Sequence, residues 1–178
     1  SSSSIVQGGA SVIPGIYPAP TMKGTVNPKD GLVYFAGFSL WGHNSDALSA
    51  FLRLRYTGEE SLLPVDYKVR EGGILLRFGQ ELDMAAATDL ASYQVKRWNY
   101  LRTEKYGSGH YQLNGEVGEE NMPVLAAHLS EDKKAVFLVV PNIDIVMQME
   151  VAFDLKTVSG TSWSDKVWMT VNAVNEAN

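Results

Sequence analysis

The feature that most constrains this sequence is an alternation of apolar and polar residues with a period of two. It is clear in the segment 51–58, where Arg53 and Arg55 alternate with apolar or aromatic residues, and again in the segment 146–160. Successive side chains of a strand point to opposite faces of a sheet, so this period is typical of strands with one buried face. The pattern predicts an all-β chain.

Turn residues divide the alternating segments into hairpins. The segment 22–38 is predicted to form two strands joined by a turn at Asn27–Gly31, because Pro28 fixes φ and Asp30-Gly31 favours a tight turn. In the segment 146–160, Met147 and Met149 are predicted to share the apolar face. The other predicted strands are single ones at 51–58, 93–100, 146–160 and 165–174, and pairs at 65–83 and 122–140.

Two segments depart from the period of two. The Ala-rich segment 84–92 is too short for a stable isolated helix, so it is predicted to form one or two helical turns. The segment 101–121 is rich in glycine and asparagine and is predicted to be a long loop. Many short strands with almost no helix are typical of a sandwich. We therefore predict an Ig-like or fibronectin III-like β-sandwich preceded by a small three-stranded β segment.

Pro64 and the polar residues before it predict a domain boundary. A three-stranded segment has unpaired edges, and exposed edges promote aggregation unless they are covered. We therefore expect residues 5–58 to pack onto the sandwich or to pair with strands of another chain. The predicted regions are a tail and β segment at 1–58, a linker at 59–64, the sandwich at 65–174 and a tail at 175–178.

Composition excludes several classes of function. The chain of 178 residues contains no cysteine, which excludes thiolate catalysis, iron–sulfur clusters and covalent haem attachment. The net charge is −5 and the basic residues are scattered, which argues against a nucleic-acid partner. No apolar run approaches the ~20 residues that a membrane span needs. We predict no metal and no cofactor in this chain.

Two groups of segments resemble a known architecture. "MKGTVNPKDGLVYFAGFSLWG" and "FLRLRYTG" resemble the last strands of a β-propeller found in large secreted multidomain proteins. That propeller is similar to those of quinoprotein sugar dehydrogenases and is often coupled to a c-type cytochrome domain. "GGILLRFGQELD", "DLASYQVKRWNY" and "YGSGHYQ" resemble the Ig-like domain that follows the propeller. The likeness covers most of residues 5–173 and is most specific at Trp98, Tyr100 and the run Tyr106-Gly107-Ser108.

The resemblance implies an extracytoplasmic location, periplasmic or secreted, and a non-catalytic accessory module that positions a propeller or redox domain. Its implied partner is the remainder of a larger multidomain protein or another β-rich chain. The first residues lack the features of a signal peptide, so we expect a chain that is processed or excised from something longer. A further alternative is a part of a quinoprotein-like sugar oxidoreductase whose catalytic portion lies outside this chain. No catalytic residue of the family maps onto this sequence.

The segment 97–112 concentrates aromatic residues, and two interpretations of them stay open. In the first, Trp98 and Tyr100 anchor the long loop, and Tyr106 and Tyr111 pack as its own small core. In the second, the rings stack on a polysaccharide, because aromatic side chains offer large contact areas at low entropic cost. The residues of this carbohydrate site would be Trp98, Tyr100, Tyr106, His110, Tyr111 and Trp41.

The other polar groups are interpreted as structural. His43 lies in a polar connection at 39–50 whose spacing matches no closed metal motif. Glu59-Glu60 and Glu119-Glu120 could be paired acids, but no apolar neighbours are present to raise a carboxyl pKa, so they are interpreted as solvated. A calcium site would need several close carboxylates in a run such as D-x-D-x-D-G, which is missing. The carboxylates considered for calcium are Asp30, Asp83 and Asp89.

Overall fold

The computed structural model describes residue 5, residues 7–40 and residues 45–174. It is nearly all β, with 47% strand and 5% helix, which confirms the predicted all-β class. In chain order the strands are β1 (Gly9–Ala10), β2 (Lys23–Val26), β3 (Val33–Phe38), β4 (Ser49–Leu54), β5 (Pro64–Arg70), β6 (Gly73–Phe78), β7 (Tyr93–Trp98), β8 (Glu120–Met122), β9 (Ala126–Leu129), β10 (Ala135–Val139), β11 (Val146–Lys156) and β12 (Ser162–Val171). The helices are α1 (Met84–Thr88) and a 3-10 helix (Leu90–Ser92).

The chain divides into two compact units, which are described separately. The sandwich unit comprises Ser1–Val12 and Glu60–Asn178, and the small unit comprises Ile13–Glu59. This grouping differs from the one expected from the sequence, because β1 pairs with β12 and so belongs to the sandwich unit. The expected linker also packs into that unit, since Leu62 is fully buried in its core.

The sandwich unit contains two antiparallel sheets. One has five strands in the order β1-β12-β11-β7-β8, and the other has four in the order β5-β6-β10-β9. In the first sheet Val151 lies between Val95 and Val167, and all three are buried. Phe78 of the second sheet meets Phe153 of the first edge to face, with ring centroids 5.5 Å apart. The two sheets therefore enclose one core between their inner faces.

Met147 does not lie on the apolar face with Met149, contrary to the sequence prediction. The register between β11 and β12 shifts between Val146 and Met149, as in a β-bulge. A bulge adds an unpaired residue and reverses the alternation beyond it. Met147 is therefore 44% exposed, and its sulfur accepts a hydrogen bond of 3.3 Å from the backbone N–H of Tyr100.

The two predicted helical turns are present, and aspartates cap both. The Asp83 carboxylate accepts a hydrogen bond from the Ala86 N–H at 3.0 Å, and Asp89 accepts one from the Ala91 N–H at 3.0 Å. Such carboxylates satisfy backbone donors that a helix start leaves free. Two of the three carboxylates considered for calcium therefore serve as helix caps.

The small unit is a single antiparallel sheet in the order β2-β3-β4. The predicted turn joins β2 to β3, with Gly31 at φ 70°, a left-handed conformation that favours glycine. Asp30 braces this turn by accepting hydrogen bonds from the Leu32 N–H and the Tyr34 hydroxyl. Ala19 and Gly37 are the buried residues in the described part of this unit. A sheet of this size buries too little apolar surface to form a core of its own.

Candidate functional site

The first candidate site is the aromatic cluster at the end of β7. Val95 faces the core, so alternation places Trp98 on the outer face of the sheet. Trp98 is nevertheless only 5% exposed, because the following loop folds back over it. His110 of that loop stacks on the indole, with ring centroids 4.6 Å apart and an interplanar angle of 19°. The indole N–H has no partner among the described residues, so stacking rather than a hydrogen bond holds this ring.

A charged network holds His110 in place. Its Nδ1 lies 2.8 Å from Glu119 Oε1, and Lys96 Nζ lies 3.2 Å from Glu119 Oε2. The hydrogen bond from His110, followed by that from Lys96, lowers the pKa of Glu119. The carboxylate is therefore ionised near neutral pH and cannot act there as a general acid. Tyr100 completes the cluster by an edge contact with His110 at 5.7 Å.

Backbone pairing closes the base of the loop. Asn99 and Tyr111 exchange two hydrogen bonds, of 2.7 Å and 3.0 Å. Tyr111 forms a second bridge to Val117. A long loop is ordered only when its own residues pack or pair. The structure thus shows Trp98 and Tyr100 in contact with His110, as the loop anchor of the first interpretation requires, but Tyr106 is fully exposed and does not form the small core expected with Tyr111.

The predicted carbohydrate residues do not form one exposed platform. Trp98 is covered, Tyr100, His110 and Tyr111 are half-buried, and Tyr106 is fully exposed near the middle of the loop. Trp41 lies outside the described residues. A shallow concave surface remains beside Tyr106, and its lining includes Leu101, Ser108 and Tyr111. A stacking site on this loop would therefore use Tyr106 and Tyr111 rather than Trp98.

Sequence reasoning missed a buried ion pair next to this cluster. Arg97 donates from Nε and Nη2 to the two carboxylate oxygens of Glu120, at 2.9 Å and 2.8 Å. It also donates from Nη1 to the Asn142 carbonyl at 2.6 Å. The hydrogen bond from Arg97 lowers the pKa of Glu120. The alternation of side chains along β7 could have indicated the burial of Arg97, because Arg97 shares its side of the strand with the buried Val95.

Of the other acidic pair, Glu59-Glu60, the Glu60 carboxylate is also engaged. Glu60 Oε2 accepts hydrogen bonds from three hydroxyls at the β11–β12 turn, those of Ser159, Thr161 and Thr157. The bond from Ser159, then that from Thr161, lowers the pKa of Glu60. Glu60 is therefore an ionised anchor for the chain where it enters the sandwich unit. Within the described ranges, no three acidic, histidine or cysteine side chains come close enough to hold a metal ion.

The second candidate site is the exposed surface of the small unit. Tyr34 and Phe51 stack with ring centroids 5.6 Å apart, and Phe51 is 74% exposed. Exposed apolar side chains that gather in this way mark interaction surfaces. The large apolar residues of this unit that are exposed are Ile13, Ile16, Tyr17, Met22, Val26, Phe38, Leu40, Leu48, Phe51 and Tyr56.

Comparison with known proteins identified no relative of this chain. The chain matches no protein-family model, and neither a curated protein nor a solved structure is significantly similar to it. In the part of the chain that the structure describes, neither helix has the length and apolar character needed to cross a membrane. The two candidate sites therefore have to be interpreted from their geometry.

Proposed function

We propose that this chain is a non-catalytic interaction module of a larger extracytoplasmic protein, in which it positions a neighbouring propeller or redox domain. The observation that carries the proposal is the incomplete small sheet. Its three strands have an open edge on each side in the described residues, and Val26, Phe38 and Phe51 on those strands are exposed. A stable sheet needs a second layer or further strands, so this unit is suited to being completed by a neighbour.

The sandwich unit fits the same accessory role, since it can serve as a rigid scaffold. Its strand orders, β5-β6-β10-β9 and β12-β11-β7, correspond to the ABED and CFG sheets of Ig-like domains. Three of the four acids considered as catalytic pairs are engaged: Glu60 with hydroxyls, and Glu119 and Glu120 with cations. With their pKa values lowered, these carboxylates are ionised near neutral pH and cannot donate protons there, and their hydroxyl and cation partners give each of them a structural role. An accessory role is the function that this arrangement favours.

Hydrogen exchange followed by mass spectrometry tests the proposal. In the 178-residue chain we expect amides of β3 to exchange much faster than those of β10 and β11, because the small sheet has little buried surface. In a longer polypeptide that joins this chain to a propeller or redox domain, β3 should become protected. The core strands provide the internal control in both samples. Equal protection of β3 and β10 in the 178-residue chain, or no gain in the longer one, would overturn the proposal.

Carbohydrate binding at the loop is the second candidate, and the fully exposed Tyr106 favours it. An exposed tyrosine beside a concave surface can stack on the apolar face of a sugar ring. We expect Tyr106→Ala to abolish any binding in a polysaccharide panel, whereas Tyr56→Ala, which removes an exposed tyrosine from the small unit, should leave it unchanged. Absence of binding by the unmodified chain, or equal loss in both variants, would eliminate this candidate.

A further inference from the structure

The outer edge of β4 presents backbone groups in an ordered, alternating row. The N–H of Ser39 donates to the Leu48 carbonyl at 2.8 Å, which makes this pair a hydrogen-bonded one in the antiparallel register of β3 and β4. Hydrogen-bonded and non-hydrogen-bonded pairs alternate along such a ladder. The N–H and C=O groups of Ser49, Phe51 and Arg53 therefore point away from β3. In the described residues no strand lies beside them.

The opposite edge, β2, is less suited to accept a strand. β2 has four residues, whereas β4 has six. The Asn27 N–H donates to the Leu32 carbonyl, which makes that pair a hydrogen-bonded one. By the same alternation, the N–H and C=O groups of Gly24 and Val26 on β2 point away from β3. Pro28 follows closely, and short edge strands next to proline are protected against pairing. β4 is the longer edge and carries no proline.

The side chains of β4 define what a new strand must carry. Leu52 and Leu54 lie on one face of the sheet, and Phe51 and Arg53 lie on the other. A strand paired with β4 would place apolar residues opposite the leucines and an apolar residue opposite Phe51. Arg53 is exposed and has no acidic partner within the described residues. An acidic residue opposite Arg53 would supply that partner.

The same charge argues against a second copy of this chain as the occupant. β4 contains no acidic residue, so a second copy of β4 gives Arg53 no acidic partner: antiparallel pairing centred on Phe51 sets Arg53 opposite Ser49, and pairing centred on Arg53 sets the two arginines opposite each other. β2 of another copy would offer Lys23, which is also a cation. Like charges on directly opposite residues are unfavourable, and neither β4 nor β2 of a second copy supplies an acid, so Arg53 favours a strand from another segment over a second copy.

We propose that β4 is an acceptor edge for one extended strand of another polypeptide segment, a strand that alternates apolar residues with an acidic residue opposite Arg53. This proposal rests on the proposed function, and it identifies the strand through which the interaction module would contact its neighbour. Strand addition gives affinity through main-chain hydrogen bonds and selectivity through alternate side chains. The acid opposite Arg53 supplies that selectivity.

Two short peptides test the acceptor edge. The first has valines opposite Leu52 and Leu54, tyrosine opposite Phe51 and glutamate opposite Arg53, and the second has lysine in place of the glutamate. We expect the glutamate peptide to slow hydrogen exchange at the amides of Phe51 and Arg53. It should bind about fivefold more tightly than the lysine peptide at low salt, since one exposed charge pair contributes little. High salt should reduce that preference.

Charge reversal provides the matched control. Arg53→Glu should invert the preference so that the lysine peptide binds better, and Arg53→Gln should remove it. Unchanged exchange in β10 would show that both variants keep the sandwich folded. Equal binding of the two peptides, protection at β2 instead of β4, or a preference that Arg53→Glu does not invert would overturn the proposal. If these fail while β3 still gains protection in the longer polypeptide, the acceptor edge is wrong but the interaction module stands.

Discussion

The sandwich unit and the small unit are built from the same kind of strand and differ in what covers them. In β11, Val151, Phe153 and Leu155 are almost completely buried between two sheets. In β4, Leu52 is only half-buried and Phe51 is mostly exposed. Alternation decides which side chains share a face, whereas burial needs a second layer. An alternating sequence therefore predicts strands but not whether the chain supplies the surface that covers them.

Paired leucine truncations give the largest expected contrast between the units. Leu138→Ala in β10 removes a side chain with 0% exposure and should cost about 2–5 kcal/mol, because it leaves a cavity. Leu52→Ala in β4 should cost under about 1 kcal/mol, since no closed core surrounds it. Midpoints of urea unfolding, followed by tryptophan fluorescence, measure both. If the two variants lost the same stability, the small unit would have a core of its own, and the comparison would be wrong.

The sequence predicted most strands and turns because local patterns determine them. The hairpin at Asp30-Gly31 and the helical turns after Asp83 are examples. Contacts between distant segments were not predictable in this way. Gln7 exchanges hydrogen bonds with the backbone of residues 172–173, and Glu60 contacts hydroxyls about 100 positions away. The bulge that exposes Met147 likewise depends on pairing with β12, which no local pattern encodes.

The candidate site could be predicted in part. The sequence pattern puts Trp98 on the side of β7 opposite Val95, and the structure has it on that outer face. Its burial depends on His110, which a loop of unpredicted path brings back onto the ring. The exposure of Tyr106 is set by that same path. Parity therefore identifies the face of a strand, and the loop decides which aromatic side chains remain accessible.

Removing one member of the Arg97–Glu120 pair should give the second-largest effect. Glu120→Gln leaves the buried guanidinium without its carboxylate, and we expect a loss of about 2–3 kcal/mol, near the lower end for a broken buried pair because Glu120 is partly exposed. Glu116→Gln, at an exposed loop position, is the matched control and should change little. Chemical unfolding measures both variants. Equal stability of the two would show that the pair does not hold β8 to β7.

His110→Ala should loosen the loop without affecting the core. It removes the stacking on Trp98 and the hydrogen bond to Glu119, a local loss of about 1–2 kcal/mol. Exchange of the Asn99 and Tyr111 amides should therefore accelerate by roughly five- to thirtyfold, since 1.4 kcal/mol corresponds to a factor of ten. His128→Ala, at an exposed position of β9, should leave these amides unchanged. Unchanged exchange after His110→Ala would mean that backbone pairing alone orders the loop.

The smallest effect should come from two aspartates that brace equivalent turns in the two units. Asp132, between β9 and β10, accepts hydrogen bonds from Ser130, the Lys134 N–H and Arg77, and these lower its pKa to about 2. Asp30 braces the β2–β3 turn, and its pKa is also lowered, chiefly by the Leu32 N–H. A carboxyl whose pKa is lower in the folded chain stabilises it above the unfolded value, about 3.9, and loses that contribution as the pH falls toward the folded value.

Asp132→Asn should therefore flatten the decline in sandwich stability between about pH 4 and pH 2, whereas Glu131→Gln beside it should not. Asp30→Asn should leave this decline unchanged and accelerate exchange only in β2 and β3, because its partners Leu32 and Tyr34 lie in the small unit. Urea unfolding at a series of acidic pH values measures the first effect, and hydrogen exchange measures the second. If Asp30→Asn altered the acid unfolding of the sandwich as strongly as Asp132→Asn, the two units would unfold as one. The small sheet would then owe its order to the sandwich and would not need a strand from elsewhere.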